Sequence, residues 1–369
     1  GLGDVYKRQV VAGSYLQSLG MFFLAGDPYW RFNIPNRPLF NWLWGGLLVA
    51  GWLYLLLRYR RQENGRRRAA FLLLLLMPLF MLLPTALAVG DIIPSNLRAI
   101  GVAPFLFFLP AIGFIVVFDA ILHWFSRIVR RWGINYSRLA SLSQLSSQTS
   151  LNIGIALFLL IILGGVSSAQ AYFQDWATRA DVFYDSDADL VEVARYLEGT
   201  NTIDGTIYLA AQHYRHPTVA FLSEHYEQIK WLPDSQALVF PAEGRATYIY
   251  PYNSPLPDWA SEFLLPDPRV EGPEGPNGRP TFKLYTLSQP TAPAPPNQIK
   301  ANFGDEVTLL GYEVGSTSAG DELPVTLYWQ VENIAETNYT PFVHLEDAWG
   351  HRWSQQETFA YPAEQWTPG

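Results

Sequence analysis

The 369-residue chain contains no cysteine. That removes disulfides, thiol nucleophiles and thiolate-bound zinc, and leaves the redox compartment open. Acidic residues are scarce through residue 168, where 5 Asp and Glu face 15 Lys and Arg, a net of +10. From residue 169 onward the balance inverts to 10 basic against 28 acidic residues, a net of −18. A basic first part and an acidic second part imply two regions in different surroundings. The acidic region would repel phosphate backbones, which excludes nucleic acid as a partner. No signal peptide, P-loop, dinucleotide glycine fingerprint or Ser/His/Asp arrangement is visible. Internal repeats and interrupted spanning segments are also missing, which argues against a transporter.

What the first part does have is long apolar runs. Four of them, at about 40–57, 69–89, 99–122 and 151–168, carry almost no charge and match the ~20 residues a helix needs to cross ~30 Å of hydrocarbon. Charge-poor runs of this length, four in succession, fit poorly with buried helices of a soluble fold. The chain is therefore expected to begin with a multi-pass α-helical membrane region, 40–168. Arginines cluster at 58–68 and again within 123–150, and such loops stay cytoplasmic. Alternation then places residues 1–39, the 90–98 tip and everything after 168 outside the cytoplasm, in a cytoplasmic (inner) membrane. Residues 1–39 read as an extracytoplasmic loop of aromatics, prolines and charges. Residues 3–9 look like a fragment-end scar outside the fold, and the chain is expected to be an internal piece of a longer protein.

The 90–98 tip carries chemistry. Ser95 is a favoured helix N-cap, so Asn96, Leu97 and Arg98 are expected to open the third apolar helix. Free backbone N–H groups, the positive dipole end and a guanidinium suit a phosphate. An arginine reaching to lipid headgroups accounts equally well for Arg98. Asp119 lies near the cytoplasmic end of its helix, where it is expected to reach the interface.

Beyond residue 168, helical spacing at 185–196 alternates with strand-like runs at 206–210, 237–240, 246–250 and 282–287 and a short helix at 217–223, as in an α/β layer domain over 169–289. Residues 290–299 form a proline-rich linker. Strand patterns at 307–314, 325–331 and 342–345 then read as a β-sandwich, 300–369, cut short. His213, His216 and His225 lack the carboxylate pair or cysteines a metal would want, and no metal or cofactor is expected. Asp185, Asp187 and Asp189 have a calcium-loop spacing without its glycine or closing glutamate, and fit a helix start better.

The run Gly26-Asp27-Pro28-Tyr29-Trp30-Arg31-Phe32-Asn33-Ile34-Pro35-Asn36-Arg37-Pro38-Leu39 resembles bacterial membrane glycosyltransferases of the protein-mannosyltransferase-like family, glycosyltransferase family 39, with the GT-C fold. Asn96-Leu97-Arg98-Ala99-Ile100-Gly101, followed by Pro104, is similar to that family's late hairpin. Tyr172-Phe173-x-x-Trp176, Asp187-Ala188-Asp189-Leu190 and His216-Pro217-Thr218-Val219 resemble the exterior domain of its longer members. The resemblance implies transfer of a sugar from a polyprenyl-phosphate carrier to a protein, lipid or glycan acceptor of the cell envelope, as in protein glycosylation. It also implies a catalytic Asp in an earlier exterior loop, a role that Asp27 does not take. Within this chain it leaves Arg98, Arg37, Ser95 and Asn96 to hold the lipid phosphate, and membrane lipids as surroundings. The competing expectation is a non-catalytic, membrane-anchored carbohydrate- or envelope-binding protein.

Overall fold

A computed structural model describes residues 2–88, 91–131, 142–200, 205–264, 268–318, 321–335, 339–357 and 361–369. The end of the 69–89 run, the middle of the basic 123–150 loop with Arg138, and the turn signal at Gly320 lie outside the described residues. The chain divides into two compact units, Gly1–Val182 and Phe183–Gly369.

The first unit is helical. Its opening helix, α1 (Leu2–Gly20), corrects the expectation of a loop over 1–39: the three prolines that forbid a helix fall at 28, 35 and 38, and nothing before Gly20 stops one. Helix α2 (Trp42–Tyr59) starts at Asn41, whose side chain accepts from the N–H groups of Leu43 and Trp44. Asn64 caps α3 (Gly65–Met81) in the same way, so Arg66, Arg67 and Arg68 form its first turn instead of a loop. After Leu82 the chain continues as α4 (Leu83–Ala86). Beyond the tip, a 3-10 turn (Ile100–Val102) and α5 (Ala103–Leu106) lead into α6 (Phe108–Arg131). Helix α7 (Leu142–Gln170) runs on as one turn and a half of π-helix (Ala171–Trp176). Its start nine residues before the expected 151 follows from a Ser/Gln stretch with no proline or glycine to stop it.

Four of these stretches, Trp42–Tyr59, Gly65–Ala86, Ile100–Ile121 and Leu157–Trp176, are long and apolar enough to cross a membrane. Helices α2 and α6 approach closely where Gly51 meets Gly113. A Cβ on Gly51 would overlap the Leu109 carbonyl, and one on Gly113 the Leu47 carbonyl, so the pair packs backbone on backbone. Leu48, Leu55, Leu75 and Leu109 form the core between α2, α3 and α6. Met21, Phe22, Leu82, Ala99 and Val102 form a second core beneath the tip.

The second unit is β-rich. After α8 (Ala180–Asp185) and α9 (Ala188–Gly199), the strands β1 (Thr206–Ala211), β2 (Ile229–Pro233), β3 (Ala246–Pro251), β4 (Val270–Glu271) and β5 (Phe282–Leu287) form one sheet in the order β2-β1-β3-β5-β4. β1 pairs parallel with β2 and β3, while β5 runs antiparallel to β3 and β4. Helix α10 (Pro217–Leu222) connects β1 to β2, and α11 (Asp258–Ser261) follows β3. Alternate residues separate two cores. Ile207, Leu209, Ile249 and Trp231 pack against Leu190, Val193 and Leu197 of α9, and Tyr208, Ala210, Tyr248 and Tyr250 face the other way.

Residues 237–240 are not the expected strand. They cross the second core as a covering segment, with Val239 O accepting from Tyr248 Oη at 2.6 Å, and β2 takes the sheet position instead. Past an irregular 290–296, β6 (Asn297–Phe303), β7 (Val307–Val314) and β8 (Val325–Val331) form a three-stranded antiparallel sheet. β9 (Phe342–Glu346) and β10 (Arg352–Glu357) form a separate hairpin. Residues 361–369 form no strand and carry a 3-10 turn at Ala363–Gln365. The Gln365 side chain donates to Trp231 O and accepts from Trp231 N at 3.0 and 2.5 Å, covering the free edge of β2, while Tyr361 packs on the second core.

Candidate functional site

The two motif stretches of the first unit meet. Loop 26–37 closes on itself: Gly26 N donates to Asn36 O and Asn36 N to Asp27 O, at 3.1 and 3.0 Å. Asn33 Nδ2 adds bonds to Asp27 O and Arg37 O at 3.1 and 2.7 Å. Gly26 has no alternative here, because a Cβ would overlap the Arg37 carbonyl. The closed loop holds Asp27 fully buried. One carboxylate oxygen accepts from Tyr29 N at 2.9 Å and the other from Asn96 N at 2.8 Å. Asn96 answers by donating from Nδ2 to Phe32 O at 3.2 Å.

This changes the reading of the tip. Ser95 does not cap an α-helix: Ser95 O accepts from Ala99 N in a single turn, Ser95 N donates to Thr85 Oγ1 at 2.9 Å, and α-helix begins only at Ala103. The Asn96 N–H is taken by Asp27. Arg98 is ion-paired with Asp91 and also donates from Nη1 to Ile92 O at 3.3 Å. The Ile92 N–H and the Arg98 guanidinium together hold the Asp91 carboxyl below its ordinary range. Two of the groups expected to receive a phosphate, the Asn96 N–H and the Arg98 guanidinium, are thus each held by a carboxylate of the chain itself.

Arg37 has different surroundings. With Ile34 it lines an open groove of about 580 Å³ whose other wall is Gln174, Asp175, Thr178 and Arg179, at the end of the π-helical turn. The Arg179 guanidinium lies over the Trp30 ring, 4.9 Å from its centre. Trp176 Nε1 donates to Trp30 O at 2.7 Å, which ties the loop to the helix end. Sequence reasoning found Arg37 but missed Arg179, Gln174 and Thr178. Their one local signal is the aromatic run Tyr172-Phe173-x-x-Trp176, which ends three residues before Arg179.

In the second unit, Asp189 is fully buried and accepts from Leu190 N and Asn253 N at 2.9 and 2.8 Å. Burial pushes its carboxyl up to about 6 despite those bonds. His216 Nδ1 accepts from Thr218 N at the start of α10, and Nε2 lies 3.7 Å from Asp187. Among the described residues no three His, Asp or Glu side chains converge as a metal site would require. No family model, curated protein or solved structure matches the chain.

Proposed function

We propose that this chain is part of a membrane glycosyltransferase that moves a sugar from a polyprenyl-phosphate carrier to an acceptor outside the cytoplasm. The observation that carries the reading is the joining of loop 26–37 to the 95–99 turn through Asp27 and Asn96, residues 69 apart in sequence. These are two of the stretches that carry the family resemblance, and the reading sets both at one interface. The arginine bias of the short loops supports an inner-membrane orientation with that interface, the α/β domain and a β-sandwich outside the cytoplasm. Arg37 faces an open groove and is the stronger candidate for the lipid phosphate, whereas Arg98 adds a positive group held in place by Asp91. Ser95 and Asn96 act in this reading as supports of the turn. Fixed positive groups beside a leaving phosphate are a main source of rate in such transfers. No residue of the chain is assigned as catalytic base.

The test is transfer by the full-length protein, purified in nanodiscs, with a radiolabelled polyprenyl-phosphate sugar and an envelope extract as acceptor. Label should move to the acceptor and free polyprenyl phosphate should accumulate. Donor binding with no turnover on any envelope acceptor would make the protein a carbohydrate-binding membrane anchor instead.

A further inference from the structure

The sheet of the second unit winds both ways from β1. The connection from β1 to β2 carries α10, whose Val219 packs with α9 in the first core. The connection from β2 to β3 covers the second core with Leu238 and Val239. The two connections thus lie on opposite faces, and β1 stands between β2 and β3. Open α/β sheets bind ligands outside the carboxyl ends of their strands at such a point. Here that end is formed by the segments that follow Ala211 and Pro251, together with the start of α9.

Polar side chains gather there. Gln212 Nε2 donates across the junction to Asn253 O at 3.4 Å, and Asn253 Nδ2 donates to Tyr184 O at 2.7 Å. Both amides use their nitrogens within the fold, and neither side-chain oxygen has a donor among the described residues. His213 follows Gln212, with its exposed ring stacked on that of buried His216 at 6.1 Å between centres. Neither ring nitrogen of His213 has a hydrogen-bond partner among the described residues. Tyr252, next to Asn253, is half-buried against Tyr184 with ring centres 4.0 Å apart.

The charges select the ligand. Both Asp189 oxygens are taken by N–H groups, and Asp187 faces His216 at 3.7 Å, so an ammonium group finds no open carboxylate. The same two acids repel a phosphate, and the nearby Arg215 is paired with Glu227. The groups left open are neutral: two amide oxygens, an imidazole and a phenol. Such groups match hydroxyls, and amides and imidazoles placed beside an aromatic ring suit the mixed polar and C–H surface of a sugar. We infer that the carboxyl end of β1 and β3 binds a sugar residue of an uncharged glycan: Gln212 and Asn253 accept from its hydroxyls, and His213 exchanges a hydrogen bond with another. The inference rests on the transferase reading only in taking that glycan to be the acceptor.

The experiment measures binding of uncharged tetrasaccharides of glucose, mannose or galactose to the 369-residue chain in phosphatidylcholine nanodiscs by calorimetry. At least one should bind with a Kd of about 10 mM or below, and a uronic-acid tetrasaccharide should bind more weakly. Gln212→Ala and His213→Ala each remove one neutral hydrogen bond and should weaken binding roughly three- to tenfold. Both positions are exposed, so the melting temperature should stay at the parent value. His213→Gln, which keeps a neutral donor and acceptor, should recover part of the loss. With sugar bound, hydrogen exchange should slow in peptides covering 212–216 and 252–254. Binding by none of the neutral sugars, or parent-like binding by the Gln212→Ala/His213→Ala double variant, overturns the site. So does protection confined to the hairpin that carries the exposed Trp349 and Trp353. If the double variant loses the glycan, the site stands whether or not the full-length protein transfers sugar. If it keeps the glycan while the full-length protein transfers sugar, the site falls and the transferase reading survives.

Discussion

Removing the Asp27 carboxylate should open the joint between the two motif loops. Asp27→Ala deletes two charge-assisted bonds and leaves the Tyr29 and Asn96 N–H groups without acceptors beside a side chain that was fully buried. Hydrogen bonds to a charged group contribute about 1.5–3 kcal/mol each. Because one carboxylate makes both, the two losses are coupled, and about 3–4 kcal/mol is expected for the joint. That corresponds to roughly a hundredfold or more in local opening, at ~1.4 kcal/mol per decade. Asp27→Asn keeps one accepting oxygen but turns an amide N–H toward the other donor, so it should lose at least half of the effect. Hydrogen exchange followed by mass spectrometry, on the chain in nanodiscs, reads this directly. Peptides covering 26–37 and 91–99 should exchange much faster in Asp27→Ala, whereas those of α2 and α6 should not change. Asn96 Nδ2 also holds Phe32 O, so both peptides must respond together. Unchanged exchange in either one would refute the argument that Asp27 couples the loops.

Two further outcomes follow from the packing and from the buried acid. Gly113→Ala forces α2 and α6 apart at the Leu47 carbonyl and should cost about 1–3 kcal/mol, read as a lower melting temperature in detergent. Adding Gly51→Ala should cost less than its single effect, since the helices are already separated, and full additivity would contradict shared contact. Asp189 holds its proton up to about pH 6 when folded, against an ordinary value of 3.8. Between those values the folded state binds a proton that the unfolded state has released. The contribution is therefore fully present below about pH 4 and lost as pH rises through 6, on the order of 3 kcal/mol. The stability difference between the parent and Asp189→Asn should shift by about that amount between pH 4 and pH 7, and a flat difference across this window would show that burial does not set the Asp189 titration.

The sequence by itself determined what depends on neighbours along the chain. An apolar run of about twenty residues specifies a helix long enough for a bilayer whatever surrounds it, and four such runs gave four such helices. The strand-like runs at 246–250, 282–287, 307–314 and 325–331 fall within a residue of the ends of β3, β5, β7 and β8, because strand propensity is also local. Apart from the local misreadings at α1 and the start of α7, the failures have one cause. Residues 237–240 and 229–233 are both short apolar runs, and only pairing with β1 decides which enters the sheet. Ser95 and Arg98 have the composition of an anion site, but Asp27, 69 positions before Asn96, takes the Asn96 N–H. Trp176 reaches Trp30 across 146 residues, and that bond with the stacking of Arg179 on Trp30 sets Arg179 and Arg37 in one groove. Gln365 meets β2 from 134 residues away. Spacing along the chain carries no information about such pairs. They are set when distant segments compete for the same buried donors and acceptors, and the fold in which nearly all of these are satisfied at once is a property of the tertiary structure.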